Sequence, residues 1–172
     1  GELKTKPTQH SVKELQSVGI QPDILVLRTD KHLDIDIRKK VAAFCNVDLD
    51  SVVQSENLPS IYEVPVNMQN QGLDAAILRK CGEEVKPAPE LGPWKSFLER
   101  QRKATEKVTI GLVGKYDLQD AYKSIRESLL QAGVYNDHKT VIKFVNSENL
   151  TEKNVAEQLK GLDGVVICPG FG

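Results

Sequence analysis

Val108–Gly114 reads VTIGLVG, and the fold class turns on how this stretch is read. Six mostly apolar residues ending on a glycine have the length and composition of a strand buried in a parallel sheet, with Gly114 marking the turn at its carboxyl end. The residues downstream keep to that rhythm. From Asp120 a helix is expected with Ala121, Tyr122, Ile125 and Leu129 on one side, ending near Gly133. A strand is then expected over Thr140–Val145, a helix over Glu152–Leu162 and a strand over Gly164–Ile167. This β-α-β-α-β order predicts the start of a doubly wound parallel sheet.

Upstream the same α/β alternation appears. Ser11 and Glu14 have capping-box spacing, Val12 and Leu15 form an apolar side, and Gly19 stops the helix. Pro22–Arg28 (PDILVLR) reads as a buried strand, and Asp34 or Asp36 can cap a second helix. In that helix Ile37, Val41, Phe44 and Cys45 recur at helical spacing, with Arg38, Lys39 and Lys40 opposite. A short strand over Ser51–Gln54 and a helix from Gly72 to Cys81 complete the first stretch. Gly82–Pro93 (GEEVKPAPELGP), rich in proline and acid, reads as a linker. Trp94, Phe97 and Leu98 then form an apolar edge on a short charged helix up to about Ala104.

Composition sets the outer bounds. The chain has 172 residues, 40% hydrophobic and 27% charged, which suits one large or two small folded domains. Its 23 basic and 24 acidic residues leave a net charge of -1, without the basic excess of a nucleic-acid or anionic-membrane binder. No apolar run approaches the roughly 20 residues of a membrane span. Cys45, Cys81 and Cys168 show no zinc or redox spacing and read as three buried thiols of a reducing compartment. The ending Cys168-Pro169-Gly170-Phe171-Gly172 is a strand end entering a glycine-rich turn, which predicts a piece of a longer protein.

Two segments carry chemistry. Lys4–Gln9 (KTKPTQ) packs two ammonium groups, two hydroxyls and an amide into the expected loop before the first helix, a combination suited to polyphosphate. Composition alone supports a solvated loop as readily, and no Walker pattern occurs. Arg38, Lys39 and Lys40 read first as a solvated helix face. Arg28 ends a strand, where open α/β sheets bind ligands. Phe44 shares a helix with Lys40, within reach of a base, although its period points to the core. His10, His32 and His138 lack metal-ligand spacing, and no Ser-His-Asp set stands out. Gly170-Phe171-Gly172 could offer backbone N–H groups to an oxyanion.

With these residues in view, the chain resembles the CTP synthase family. The resemblance runs through KTKPTQHS (Lys4–Ser11), VKEL, PDILVLR, AFCNV (Ala43–Val47), SIY (Ser60–Tyr62), IGLVGKY (Ile110–Tyr116), DAYKS (Asp120–Ser124), KGLDG (Lys160–Gly164) and the final GFG. It implies an α/β chain with three parts. Residues 1–81 would be the end of a P-loop-like, Rossmann-type amidoligase (synthase) domain, 82–106 the linker, and 107–172 the start of a class I glutamine amidotransferase domain of flavodoxin-like fold. It implies ATP-dependent amination of UTP to CTP with ammonia from glutamine, by a cytoplasmic homotetramer that GTP activates and CTP inhibits. Lys4, Thr5, Lys6, Pro7, Thr8, Gln9, Lys40 and Phe44 would then hold UTP or CTP. Arg28, Glu56, Asn57 and Leu58 would hold ATP, Glu56-Asn57-Leu58 standing where other members often have Lys-Asp-Val. Gly170 would bind glutamine, with Cys168-Pro169-Gly170 in place of the usual Pro-Gly-Gly, and Lys123 would couple the domains. The resemblance puts the catalytic residues and Mg2+ ligands outside this stretch, leaving it an inactive fragment. A non-catalytic α/β binding or receiver-like module is the alternative from another class.

Overall fold

Parallel pairing of short strands dominates the computed structural model, which describes residues 3–117 and 120–170. The chain divides into two units, Gly1–Leu91 and Gly92–Gly172, each with its own sheet.

The first unit runs α1 (Lys6–Ser17), β1 (Leu25–Thr29), α2 (Ile35–Cys45), β2 (Val52–Glu56), α3 (Val64–Asn70) and α4 (Leu73–Lys80). Strands β1 and β2 pair in parallel, Leu25 opposite Val52 and Thr29 opposite Glu56, with α2 as the crossover. The core joins Val12 of α1, Val41, Ala42 and Cys45 of α2, and Val52 of β2, with Leu25, Leu27 and Val47 packed against them. Burying such side chains contributes roughly 1.5–3 kcal/mol each for the larger aliphatics.

Helix α1 begins five residues before the expected Ser11 start, so Lys6–Gln9 of KTKPTQ form its first turn and only Lys4 and the N-cap Thr5 precede it. Pro7 favours that early start, because the first turn needs no intrahelical N–H and the ring presets φ. The Ser11 hydroxyl donates to the Pro7 carbonyl at 3.1 Å and caps nothing. At the other end Gly19, at φ +85°, donates its N–H to Gln16 O while Ile20 donates to Leu15 O, a Schellman closure.

Helix α2 starts after Asp34, as expected, but Phe44 is 61% exposed and outside the core. At about 100° per residue the buried stripe is centred between Val41, Ala42 and Cys45, and Phe44 lies well round from it. Arg38 departs from the solvated-face reading: its Nη2 donates to the carbonyl of buried Val52 at 2.6 Å. Cys81 is exposed and Cys168 half-buried, so of the three cysteines only Cys45 is a core thiol. No strand or helix falls between Gly82 and Leu91.

The second unit runs α5 (Gly92–Lys103), β3 (Lys107–Gly114), α6 (Lys123–Tyr135), β4 (Lys139–Asn146), α7 (Val155–Gln158) and β5 (Gly164–Ile167). The sheet order is β4-β3-β5, all parallel, with Leu112 and Val113 of the central strand buried. Helix α5 packs on α6 through Phe97 and Tyr135, ring centroids 6.0 Å apart. Arg100 of α5 also clamps Asp137 through Nε at 2.8 Å and Nη2 at 3.0 Å.

Helix α6 starts at Lys123 rather than Asp120, because Tyr122, in the N-cap position, turns its ring into the interior. Helix α7 has four residues where eleven were expected. The Asn154 side chain accepts from Thr151 N–H at 2.8 Å and donates to Asn149 O at 2.9 Å. Those local bonds hold the preceding residues in a loop and compete with helix extension.

Candidate functional site

In the first unit the carboxyl end of β1, the first turn of α1 and the start of α2 enclose a groove of about 670 Å³. Lys4, Thr5 and Lys6 line it from α1 and the residues before it, Lys40 from α2, and Lys31 and Asp34 from the β1–α2 loop. Thus Lys40 shares one surface with Lys4 and Lys6, more than 30 positions away in sequence. The α1 N-terminus adds its positive dipole end, so the groove favours an anion of several charges. Asp34 is the one carboxylate among the described lining residues, against four lysines.

Thr8 lines a smaller adjoining cavity, about 110 Å³, together with Lys4, Thr5, Arg28 and Thr29. Gln9 does not line either cavity: its Nε2 donates to Thr5 Oγ1 at 3.1 Å and steadies the turn. Pro7 acts through the early helix start. Phe44 is exposed on the Lys40 helix, one turn further on, and lines neither cavity.

Lys31 was not singled out from the sequence, although its place two residues beyond β1 was a usable signal. Its loop is held from two sides. Lys31 N–H donates to Thr29 Oγ1 at 3.1 Å, and the buried Gln54 side chain bridges Lys31 O at 2.6 Å and Leu33 N–H at 2.9 Å. Gln54 is a buried polar residue on β2, so both polar atoms of its amide take a partner, and those bonds also shape the groove wall.

Of the residues assigned to ATP by resemblance, two meet. Arg28 Nη2 donates to Asn57 Oδ1 at 3.4 Å, and Asn57 N–H reaches Thr29 O at 3.3 Å, placing both at the carboxyl ends of β1 and β2. Glu56 instead accepts from His32 Nδ1 at 3.0 Å and lines a separate pocket of about 300 Å³ with Arg38 and Gln54. Leu58 is half-buried beyond the strand.

In the second unit the same strand-end geometry recurs. Cys168 N–H donates to Val113 O at 2.8 Å, bringing the turn at Pro169–Gly170 beside the turn after β3. A Cβ built on Gly170 would lie 3.6 Å from Lys115 Cβ. Phe171 and Gly172, the rest of the GFG turn, lie outside the described residues. Lys123 pairs with Glu127 at 2.5 Å on the exposed first turn of α6. Burial pushes the Cys168 thiol up from its ordinary pKa, against thiolate chemistry at neutral pH. Among the described residues no group of three or more His, Cys, Asp or Glu side chains could hold a metal ion. No helix among them is long and apolar enough to cross a membrane.

Comparison with known proteins adds the decisive observation. Residues 1–82 match the family model of the CTP synthase N-terminus. Over its full length the chain is 66% identical to the CTP synthase of Bacteroides thetaiotaomicron and 63% identical to that of Porphyromonas gingivalis. Over 99% of its length it is 65% identical to that of Bacteroides fragilis. Throughout its length the chain is similar to CTP synthases. It spans 32% of the length of each of these three relatives. The similarity extends through the second unit as well, because the matches to these relatives run past residue 82.

Proposed function

We propose that this chain is the stretch of a glutamine-hydrolysing CTP synthase in which the synthase half passes into the glutaminase half. Residues 1–81 close a Rossmann-type, P-loop-like synthase domain, 82–106 link, and 107–172 open a class I glutamine amidotransferase domain. The β4-β3-β5 parallel order, with the first strand of the unit central, supports the flavodoxin-like reading. The full enzyme aminates UTP in de novo pyrimidine nucleotide biosynthesis, as a cytoplasmic tetramer activated by GTP and inhibited by CTP. ATP supplies the phosphoryl group that turns the uracil O4 into a leaving group, and ammonia released from glutamine displaces the phosphate at C4. Its Mg2+ ligands and glutaminase nucleophile come from elsewhere in that enzyme.

One observation carries this reading: Lys4, Lys6 and Lys40 line a single groove at a helix N-terminus. Three ammonium groups and the dipole match a triphosphate, which UTP and CTP share. Thr5 and Thr8 offer hydroxyls at its edge, Pro7 and Gln9 set the turn, and exposed Phe44 stands on the Lys40 helix for a base or ribose. Arg28 and Asn57, joined at the neighbouring strand ends, serve ATP with Glu56 and Leu58 beside them. Gly170 serves glutamine, and Lys123, on the first turn of α6, couples the two activities.

The test is Lys4→Ala, Lys6→Ala and Lys40→Ala in the full-length enzyme. Losing a charge-assisted contact costs roughly 1.5–3 kcal/mol, or one to two decades in affinity. UTP affinity and CTP inhibition should weaken together, with glutamine hydrolysis chemistry intact. Unchanged UTP and CTP constants in all three variants would return these lysines to a solvated surface.

A further inference from the structure

The Tyr122 hydroxyl sits where the two strand-end turns of the second unit meet. Tyr122 is 5% exposed. Its oxygen accepts the backbone N–H of Lys115 at 3.2 Å and of Tyr116 at 3.4 Å, and its O–H donates to the carbonyl of Pro169 at 3.2 Å. Both acceptor positions and the single donor of the hydroxyl are therefore used. The residues it joins are 47 apart in sequence on one side and six and seven on the other. The ring is seated with matching care. A Cβ on Gly114 would lie 2.6 Å from Tyr122 Cε2 and 2.8 Å from Cζ and Oη, so glycine there leaves the space the phenol occupies.

The Pro169 carbonyl belongs to the same planar peptide unit as the Gly170 N–H, and no described peptide bond is cis. In a trans peptide the two groups point in opposite directions. A hydrogen bond that fixes the direction of the Pro169 carbonyl therefore fixes the direction of the Gly170 N–H as well.

We infer that Tyr122 is a positioning residue for glutamine chemistry: its hydroxyl orients the Pro169–Gly170 peptide so that the Gly170 N–H faces the developing oxyanion. This rests on the proposed glutamine-binding role of Gly170. An N–H aimed at a developing charge acts chiefly in the transition state, so misaiming it lowers kcat and spares KM. The turn after β3, held by the same hydroxyl, is registered to the glutamine turn at the same time. A tyrosine that looks like one more apolar residue of a helix face thus sets the geometry of a backbone donor.

The experiment compares Tyr122→Phe with the parent in the full-length enzyme. Phenylalanine keeps the ring in its slot and removes the three hydrogen bonds. The expected result is a fall in kcat for glutamine-dependent CTP formation of about ten- to a hundredfold. KM for glutamine should hold within about twofold, and ammonia-dependent CTP formation should be retained. Gly114→Ala, which keeps the hydroxyl but pushes on the ring, should produce the same selective loss and serves if Tyr122→Phe fails to fold. An unchanged ratio of glutamine- to ammonia-dependent rates in both variants would overturn the inference, as would an equal fall with both nitrogen donors. Gly170→Val tells the two roles apart. If it abolishes glutamine-dependent synthesis while Tyr122→Phe leaves the ratio unchanged, Tyr122 does not position the turn. If Gly170→Val itself leaves glutamine use intact, the role of Gly170 is what fails.

Discussion

Replacing Gly133 by alanine should destabilise the second unit, although the same change in an exposed helix normally stabilises. Gly133 lies in α6 where the helix passes closest to β4. A Cβ there would overlap the Thr140 hydroxyl and would sit 3.0 Å from the His138 carbonyl and 3.2 Å from Thr140 Cβ. Glycine to alanine in a helix interior gains roughly 0.5–1 kcal/mol of backbone entropy and propensity. Overpacking a filled site costs about 1–3 kcal/mol. The Thr140 hydroxyl must also leave its bond to Leu129 O, now 3.0 Å, which removes about 0.5–1.5 kcal/mol more. The clash wins, with a net loss of about 1–3 kcal/mol. Trp94, the single tryptophan, lies in this unit, so its fluorescence during urea unfolding of the chain reports the loss as a lower midpoint. Thr140→Ala removes the overlapping oxygen but keeps Cβ, and in that background Gly133→Ala should cost about 1 kcal/mol less. A raised midpoint for Gly133→Ala, or an equal cost in both backgrounds, would show that Thr140 does not oppose the added methyl.

Cysteine labelling should follow exposure: Cys81 first, Cys168 more slowly, and Cys45 only on unfolding, since burial raises the pKa of the latter two thiols. Peptide mapping after brief alkylation at neutral pH checks the order, and early modification of Cys45 would contradict the core packing. Asp137→Asn tests the Arg100 clamp by its pH dependence. The hydrogen bond from Arg100 holds the Asp137 carboxyl below the usual carboxylate range. Its stabilisation is therefore full above the unfolded carboxylate value of about 4 and fades as pH falls through the lower folded value. Asparagine tolerates the positive φ of this position, 58°, so the substitution isolates the charge. The variant should unfold at a lower urea midpoint than the parent near pH 7, and the gap should narrow progressively as pH falls below about 4. A gap that persists in acid would mean the clamp is not electrostatic.

Local signals were legible wherever a single segment carried them. Strand β5 falls on Gly164–Ile167 as its apolar run predicts, and β3 and β4 extend their predicted strands by one or two residues at the ends. The run length and β-branched content of these segments report strand without knowledge of partners, but not burial. The second half of β3 is buried, while β4 and β5 largely alternate exposed and half-buried residues. Helix boundaries were harder. Ser11 looks like a cap because a serine three residues before a glutamate fits the pattern, yet Pro7 had already started the helix. Periodicity placed Phe44 with the core, but the centre of a buried stripe is set by what packs on it, here Val12 and Val52.

The candidate site divides along the same line. Residue order alone was enough for the α/β class, the likeness to CTP synthases and the succession of elements apart from α3, which has no counterpart among the expected elements. These depend on residue types in consecutive positions, and local sterics and burial act over a few residues at a time. Packing in three dimensions was needed to join Lys40 to Lys4 and Lys6 while neighbouring Arg38 turns inward to Val52. Packing also brought Lys31 to the same groove through Gln54, and set the Tyr122 hydroxyl between two turns, its bond to Pro169 spanning 47 residues. Parallel strands pair across crossovers, so which strand ends become neighbours, and which side chains meet there, is fixed by packing between segments distant in the chain.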